Sequence, residues 1–316
     1  ESLESIYDYV PAMIACDLHP NYMSTAYARK LDAPVFAVQH HFAHVLACMA
    51  DNDLDGPVLG ISWDGSGYGL DGTIWGGELL RVDRDGFSRF AHLRTFRLAG
   101  GEQAIREPRR SAIGLLHEIW GARLFERDPA GIAARFSDEE RSILNVVLEK
   151  GINAPVTSSA GRLFDAVASI IGLRDRVAFE GQAAMELEFA IDRSVADDTR
   201  YDFGIAAGDP HVIDWAPMVR EIVEDVTRGV PAPAIAARFH NTLAEMIVAA
   251  AAMAREERVV LTGGCFQNRY LTERAVARLR EEGFRPYHHQ RIPPNDGGIA
   301  LGQIVAAARA AEKEIR

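Results

Sequence analysis

Two short apolar runs near the start of the chain, Pro11 to Cys16 and Ala33 to Val38, are each followed by a segment with helical spacing. The first leads through Asp17-Leu18-His19-Pro20 into a helix ending near Lys30, the second into a helix reaching about Asp51. A strand, helix, strand, helix order predicts an α/β fold with a parallel sheet and with ligands at the carboxyl ends of its strands. His40 and His44, in His40-His41-Phe42-Ala43-His44, lie just beyond such an end. Four residues apart on a helix, they share one face with Cβ atoms about 6 Å apart, within reach of one metal ion, whereas His41 projects about 100° away. On these two residues alone, a partly exposed pair or a pair of satisfied core histidines is an equally open reading.

At 316 residues the chain exceeds the roughly 250–300 at which single cores stop growing, so two lobes are expected. The polar, turn-rich Asp51-Asn52-Asp53-Leu54-Asp55-Gly56-Pro57 marks a boundary. Beyond it Val58–Trp63, Thr73–Val82 and Arg89–Phe96 read as an antiparallel meander. Apolar spacing predicts helices over Ser111–Trp120, Ser137–Glu149, Leu163–Ile171, Ile235–Glu257, Ala275–Glu282 and Ile299–Ala311, with a buried strand at Val259–Leu261. A hydrophobic content of 48% and a charged content of 25% are ordinary for a folded globular chain. The formal charge of −11, with no run of basic residues, argues against nucleic-acid binding. Three cysteines without CxxC spacing fit a reducing compartment, and with no membrane span and no secretion signal in Glu1 to Ser5 the cytoplasm is expected.

Chemistry concentrates in a few segments. Asp64, in Trp63-Asp64-Gly65-Ser66-Gly67-Tyr68-Gly69, and Asp296, in Asn295-Asp296-Gly297-Gly298, could complete a shell of two imidazoles and two carboxylates, which suits iron, zinc or manganese better than copper. Gly65, Ser66 and Gly67 sit where a glycine-rich turn can aim backbone N–H groups at an anion, or simply form a bulged hairpin. Gly263 and Gly264 end a strand and would let a flat ligand lie against the backbone, ahead of Asn268, or would equally serve a simple strand-to-helix turn. Thr157-Ser158-Ser159-Ala160-Gly161-Arg162-Leu163-Phe164-Asp165 is a capped helix start on which Asp165 could meet a ribose hydroxyl; Glu180 stands beside Gly181 in a similar position. Asp17 and His19 read as a catalytic pair or as an Asx-turn before Pro20. Arg106, with Arg109 and Arg110, reads as a solvated face or as a site for a small anion, and Cys265 as a packed thiol.

In order along the chain, the segments Asp-Leu-His-Pro at 17–20, Val-Gln-His-His-Phe-Ala-His at 38–44, Asp-Gly-Ser-Gly-Tyr-Gly at 64–69, Trp-Gly-Gly-Glu at 75–78, Ala-Ile-Arg-Glu-Pro at 104–108, Thr-Ser-Ser-Ala-Gly-Arg-Leu-Phe-Asp at 157–165, Phe-Glu-Gly-Gln at 179–182, Gly-Gly-Cys-Phe-Gln-Asn at 263–268 and Asp-Gly-Gly-Ile-Ala-Leu-Gly-Gln at 296–303 closely resemble the C-terminal carbamoyltransferase domain of the HypF hydrogenase-maturation family, related to TsaD and TobZ. The resemblance implies a two-lobed actin/sugar-kinase/Hsp70 architecture of mixed sheets flanked by helices. Residues 1–57 with 290–316 would form an N-terminal-type lobe carrying the metal helix and lacking its first strand hairpin, and 58–289 the nucleotide lobe. It implies a divalent metal, iron or zinc, on His40, His44, Asp64 and Asp296. ATP or carbamoyl-AMP would be cradled by Gly65, Ser66, Gly67, Gly161, Gly263 and Gly264, with Asp165, Glu180 and Asn268 facing ribose and base. Asp17, His19 and Arg106 are the catalytic candidates. A YrdC-like domain, absent from these residues, would make carbamoyl-AMP, and this domain would pass the carbamoyl group to the C-terminal cysteine of HypE. A TobZ-type O-carbamoyltransferase and a non-catalytic nucleotide-binding scaffold are the alternatives.

Overall fold

The computed structural model describes residues 10–194 and 198–315. The stretch read for a secretion signal, and any hairpin ahead of the first strand, lie outside those residues. The expected alternation is present: β1 (Ile14–Asp17), α1 (Met23–Ala28), β2 (Val35–Val38) and α2 (His40–Asp51), with β1 and β2 paired in parallel. Gln39 caps α2, its side chain accepting from the Phe42 N–H, which fixes where the histidine-bearing turn begins.

The meander is β3 (Val58–Tyr68), β4 (Ile74–Val82) and β5 (Phe87–Leu93). After β6 (Phe96–Arg97) come the helices α3 (Gln103–Arg106), α4 (Pro108–Trp120), α5 (Leu124–Arg127) and α6 (Asp138–Lys150). The last of these opens on a capping box of Ser137 and Glu140. Then follow β7 (Val156–Thr157), α7 (Ala160–Ile170), α8 (Gln182–Phe189), β8 (Gly204–Ala206), β9 (His211–Asp214), α9 (Ala216–Thr227), α10 (Ala232–Ala254), β10 (Arg258–Thr262), α11 (Arg269–Glu281), β11 (Arg285–His288) and α12 (Ile299–Ile315). The large mixed sheet runs β11-β10-β3-β4-β5-β9-β8, with β7 joined to β4 and β6 to β7. This is a mixed α/β fold with helices flanking the sheet.

Alternation along the central strands divides the core. Leu59, Ile61 and Trp63 of β3 face one side, with Leu79, Val259 and Leu261, against α7 and α10. Val58, Leu80, Val82 and Val260 face the other, against Val45, Leu46 and Met49 of α2. Each such buried side chain is worth roughly 1.5–3 kcal/mol, so α2 is held to the sheet by its apolar stripe. The α2 helix is also crossed by α12, which reaches back to β1 and β2. Gly302 makes that crossing possible, because a Cβ there would lie 1.8 Å from the Ala43 carbonyl oxygen.

Two differences from the expected elements matter. The glycine-rich segment after Trp63 is not a loop: β3 bulges between Trp63 and Gly67, pairs again with β4 through Tyr68, and turns only at Gly69 to Thr73. The helix expected from Ala275 begins a turn and a half earlier, at Arg269, because Asn268 caps it. The topology brings the carboxyl ends of β1 and β2 together at Asp17 and Val38, and sets the carboxyl end of β10, Thr262, beside Ser62 of β3, just ahead of the β3 bulge.

Candidate metal centre and cleft

Four side chains from three segments converge beside these strands. His40 and His44 come from the first two turns of α2, Asp64 from the bulge of β3, and Asp296 from a 3₁₀ turn ahead of α12. Their ligand atoms all lie within 4.8 Å of one another. Asp64 Oδ2 is 3.3 Å from the Nε2 atoms of both His40 and His44, and Asp296 Oδ1 is 3.4 and 3.3 Å from the same two atoms. Charge-assisted hydrogen bonds are shorter, about 2.7–2.9 Å. Donors about 2.0–2.1 Å from a tetrahedral ion stand about 3.3–3.4 Å apart, the spacing of the four imidazole–carboxylate pairs here.

Neighbouring groups fix the donors. Asp17 Oδ2 accepts from His40 Nδ1 at 2.8 Å, leaving the Nε2 lone pair toward Asp64 and Asp296. The other Asp17 oxygen accepts the His19 N–H at 2.7 Å, so the Asx-turn is present and Asp17 orients a metal-site imidazole. Asp64 Oδ1 accepts from the Gly65 and Gly264 N–H groups. Asn295 supplies the cap for the turn that carries Asp296, accepting from the Gly297 N–H, and this leaves the Asp296 carboxylate free for the site. His44 Nδ1 has no hydrogen-bond partner among the described residues. His41 is buried on another face, its Nδ1 accepting from Gln39 Nε2.

The electrostatics fit mutual charge compensation. Burial works to lower His40, yet Asp17, Asp296 and Asp64 raise it well above the ordinary imidazole value. His44, also opposed by burial, is raised by Asp296 and Asp64. Burial would raise Asp64, but His40 and His44 hold it well below the usual carboxylate range; His40 and His44 likewise lower Asp296. Burial and the neighbouring His40 keep His41 well below its normal value. A divalent cation bound among these four side chains would take the place of the two imidazole protons.

The centre opens into a cleft of about 500 Å³, lined among others by Asp64, Gly65, Ser66, Gly161, Arg162, Asp165, Glu180, Gly264 and Asp296. Asp165 is buried; burial pushes its carboxyl up to about 6 despite Arg162 3.1 Å away. Gly161 lets α7 approach the bulge, since a Cβ there would meet Gly65 Cα at 2.8 Å.

Several expected site residues stand elsewhere. Gly67 faces inward, where a Cβ would lie 2.5 Å from the His41 ring, and Gly263, at φ +94°, packs on the Trp63 backbone. Neither is among the cleft-lining residues: the strand turns Gly67 inward where it pairs with β4 again after the bulge, and Gly263 is held against β3 at the end of β10. Asn268 is committed to its helix: Oδ1 accepts from the Leu271 N–H and Nδ2 meets His240 Nε2 at 2.8 Å. It borders an adjoining cavity of about 590 Å³ that shares Glu180, Gly264 and Cys265 with the cleft. Arg106 is exposed and does not line the cleft, and Arg109 and Arg110 are paired with Glu107, so no three-arginine anion site forms. His19 stacks on Tyr22 at 4.2 Å, with Tyr22 itself lining the cleft. Tyr22 and Arg162 are the side chains that sequence reasoning passed over. The signals were a tyrosine two positions after Pro20 and a basic residue inside a quoted motif.

Similarity to known proteins follows this geometry. Residues 60–303 match the family model described as carbamoyltransferase, Kae1-like domain, second subdomain, and residues 1–51 match the HypF Kae1-like domain. The chain is 41% identical to carbamoyltransferase HypF of Synechocystis sp., over 98% of the chain and 42% of that protein. It is 40% identical to carbamoyltransferase HypF of Rhizobium leguminosarum bv. viciae, over 95% of the chain and 38% of that protein. A carbamoyltransferase HypF homolog of Cupriavidus necator is 38% identical, over 97% of the chain and 80% of that protein. A crystal structure of full-length HypF in the phosphate- and nucleotide-bound form superposes with a TM-score of 0.92 at 40% identity, covering 98% of this chain and 48% of that one. The chain therefore spans less than half the length of the Synechocystis and Rhizobium relatives, at 42% and 38%.

Proposed function

The chain belongs to the HypF carbamoyltransferase family, and from that premise we propose that its cleft transfers a carbamoyl group from carbamoyl-AMP to a thiolate acceptor, the C-terminal cysteine of HypE. The observation that carries the reading is the convergence of His40, His44, Asp64 and Asp296 at one end of a cleft with room for a nucleotide. The donor set, two imidazoles and two carboxylates with ligand atoms within 4.8 Å of one another, fits iron or zinc. A divalent metal bound there would offset negative charge on the phosphate and carbonyl oxygens of the mixed anhydride.

The chain's own residues do the rest. Asp17 holds the His40 ring in one tautomer. Asp165 and Glu180 on the opposite wall offer acceptors to ribose hydroxyls, and the fold there matches a relative described as nucleotide-bound. The nucleophile comes from outside: burial raises the Cys265 thiol well above its ordinary value, and Asp64 adds to the shift. Cys16 and Cys48 are buried and raised as well. The architecture is read as the two-lobed actin/sugar-kinase/Hsp70 type, with residues 290–316 returning to 1–57 and 58–289 forming the nucleotide lobe. Carbamoyl-AMP itself would come from a YrdC-like domain. Among the described residues no helix is long and apolar enough to cross a membrane.

The test supplies the metal-loaded chain with carbamoyl-AMP and a peptide ending in the HypE C-terminal cysteine, and reads the peptide by mass spectrometry. The expected product is the S-carbamoylated peptide, lost in His40→Ala. A metal-loaded chain that leaves the peptide unmodified while carbamoylating a small alcohol would point to O-carbamoyl transfer instead.

A further inference from the structure

The cleft is lined by four carboxylates, Asp64, Asp165, Glu180 and Asp296, and by one cationic side chain among the described residues, Arg162. An anionic ligand entering this wall meets repulsion everywhere except at the metal centre and at that guanidinium. The Arg162 side chain is only 4% exposed. Its Nε and Nη1 are sealed from solvent without an aligned hydrogen bond, although Nη1 is 3.1 Å from Asp165 Oδ2. The remaining nitrogen, Nη2, is 3.6 Å from where a Cβ on Gly65, the residue that follows the Asp64 donor, would stand, and has no hydrogen-bond partner among the described residues. With Nε and Nη1 sealed from solvent and Nη1 turned to Asp165, Nη2 is the guanidinium donor left for a ligand in the cleft that Arg162 lines. Its position is fixed: Ser159 Oγ accepts the Arg162 N–H and donates to the Asp64 and Gly65 carbonyls at 2.9 and 2.8 Å.

We propose that Arg162 is a phosphate-contacting residue, its Nη2 donating to a non-bridging oxygen of an adenylate phosphate lying over Gly65. A planar, permanently charged donor suits phosphate geometry where an ammonium would act only as a point charge. The inference rests on the reading of the cleft as a nucleotide site. It differs from a purely structural role, in which Arg162 neutralises Asp165 and thereby shapes the ribose wall.

AMP and adenosine separate the two roles, because they share ribose and base and differ in the phosphate. Calorimetric titration of the metal-loaded parent chain, Arg162→Gln and Arg162→Lys with each ligand gives the comparison. Arg162→Gln is expected to weaken AMP about tenfold or more while adenosine changes by less than about twofold. Arg162→Lys keeps the charge that balances Asp165, so it retains the fold if the Gln variant does not, and is expected to weaken AMP selectively by a smaller factor. Equal losses for AMP and adenosine, or no loss for either in both variants, would overturn the proposal. A parent chain that binds metal but neither ligand would overturn it together with the nucleotide reading.

Discussion

The two ends of the cleft handle buried charge in opposite ways. At one end His40, His44, Asp64 and Asp296 arrive from three distant stretches of chain, and no permanent cation stands among them. At the other, Arg162 and Asp165 lie three residues apart across the first two turns of α7 and stand 3.1 Å from each other, opposite in charge. A site that balances its charges locally can be rigid without a ligand. One that assembles carboxylates around neutral rings needs a proton or a metal ion to be at ease. On the function proposed above, metal binding belongs to the first end and nucleotide recognition to the second.

The sharpest way to break that division is at the histidines. His40→Ala and His44→Ala are expected to reduce metal affinity by more than about 100-fold, beyond what loss of an outer partner costs, while His41→Ala keeps it. Metal analysis of the purified variants reads this directly, and equal losses in all three would dissolve the site. Asp296→Asn comes next. Because Asn295 provides the cap, the variant should leave metal-free thermal stability near that of the parent and still lose much of its metal affinity. Asp17→Asn should weaken metal by a smaller factor, about tenfold, since it disturbs only the orientation of His40.

How much of this was visible in sequence differs between the two ends. The His40/His44 pair is a local helical spacing, and the strand ends that present it follow from the alternation of short apolar runs, so both were legible. Asp17 was seen, but its partner lies 23 residues away across a parallel strand pair, and only the β1–β2 register shows that it serves His40. Gly67 looked like a cradle residue because glycine spacing does not reveal which face of a bulged strand a residue takes, and Gly263 because its spacing does not show that it packs on the Trp63 backbone. Asn268 fooled the eye in another way: a polar residue after a double glycine suits a ligand and a helix cap equally, and here the cap holds it. The β8–β9 hairpin escaped because its strands are only three and four residues long, too short for a two-residue period to register.

The smallest expected effect sharpens the nucleotide end. Asp165 is buried and its carboxyl is pushed up to about 6, above an unfolded value near 3.8. The folded chain thus holds more protons than the unfolded chain between those values, so this group favours folding below about pH 4, and its contribution is lost as pH rises through about 6. The expected loss is on the order of 2 kcal/mol. Asp165→Asn removes that slope, so denaturant unfolding of the metal-free protein at pH 4.5 and pH 7 should show a smaller pH difference in the variant than in the parent. An unchanged difference would place the Asp165 carboxylate in water rather than in the wall.

The most direct test of the central claim is where a metal ion goes. Crystals of the chain loaded with one equivalent of iron(II) or zinc, measured at the absorption edge of that metal, are predicted to show a single strong anomalous peak within about 2.0–2.2 Å of His40 Nε2, His44 Nε2 and carboxylate oxygens of Asp64 and Asp296. A peak elsewhere, or no peak from protein that retains its fold, would contradict the account.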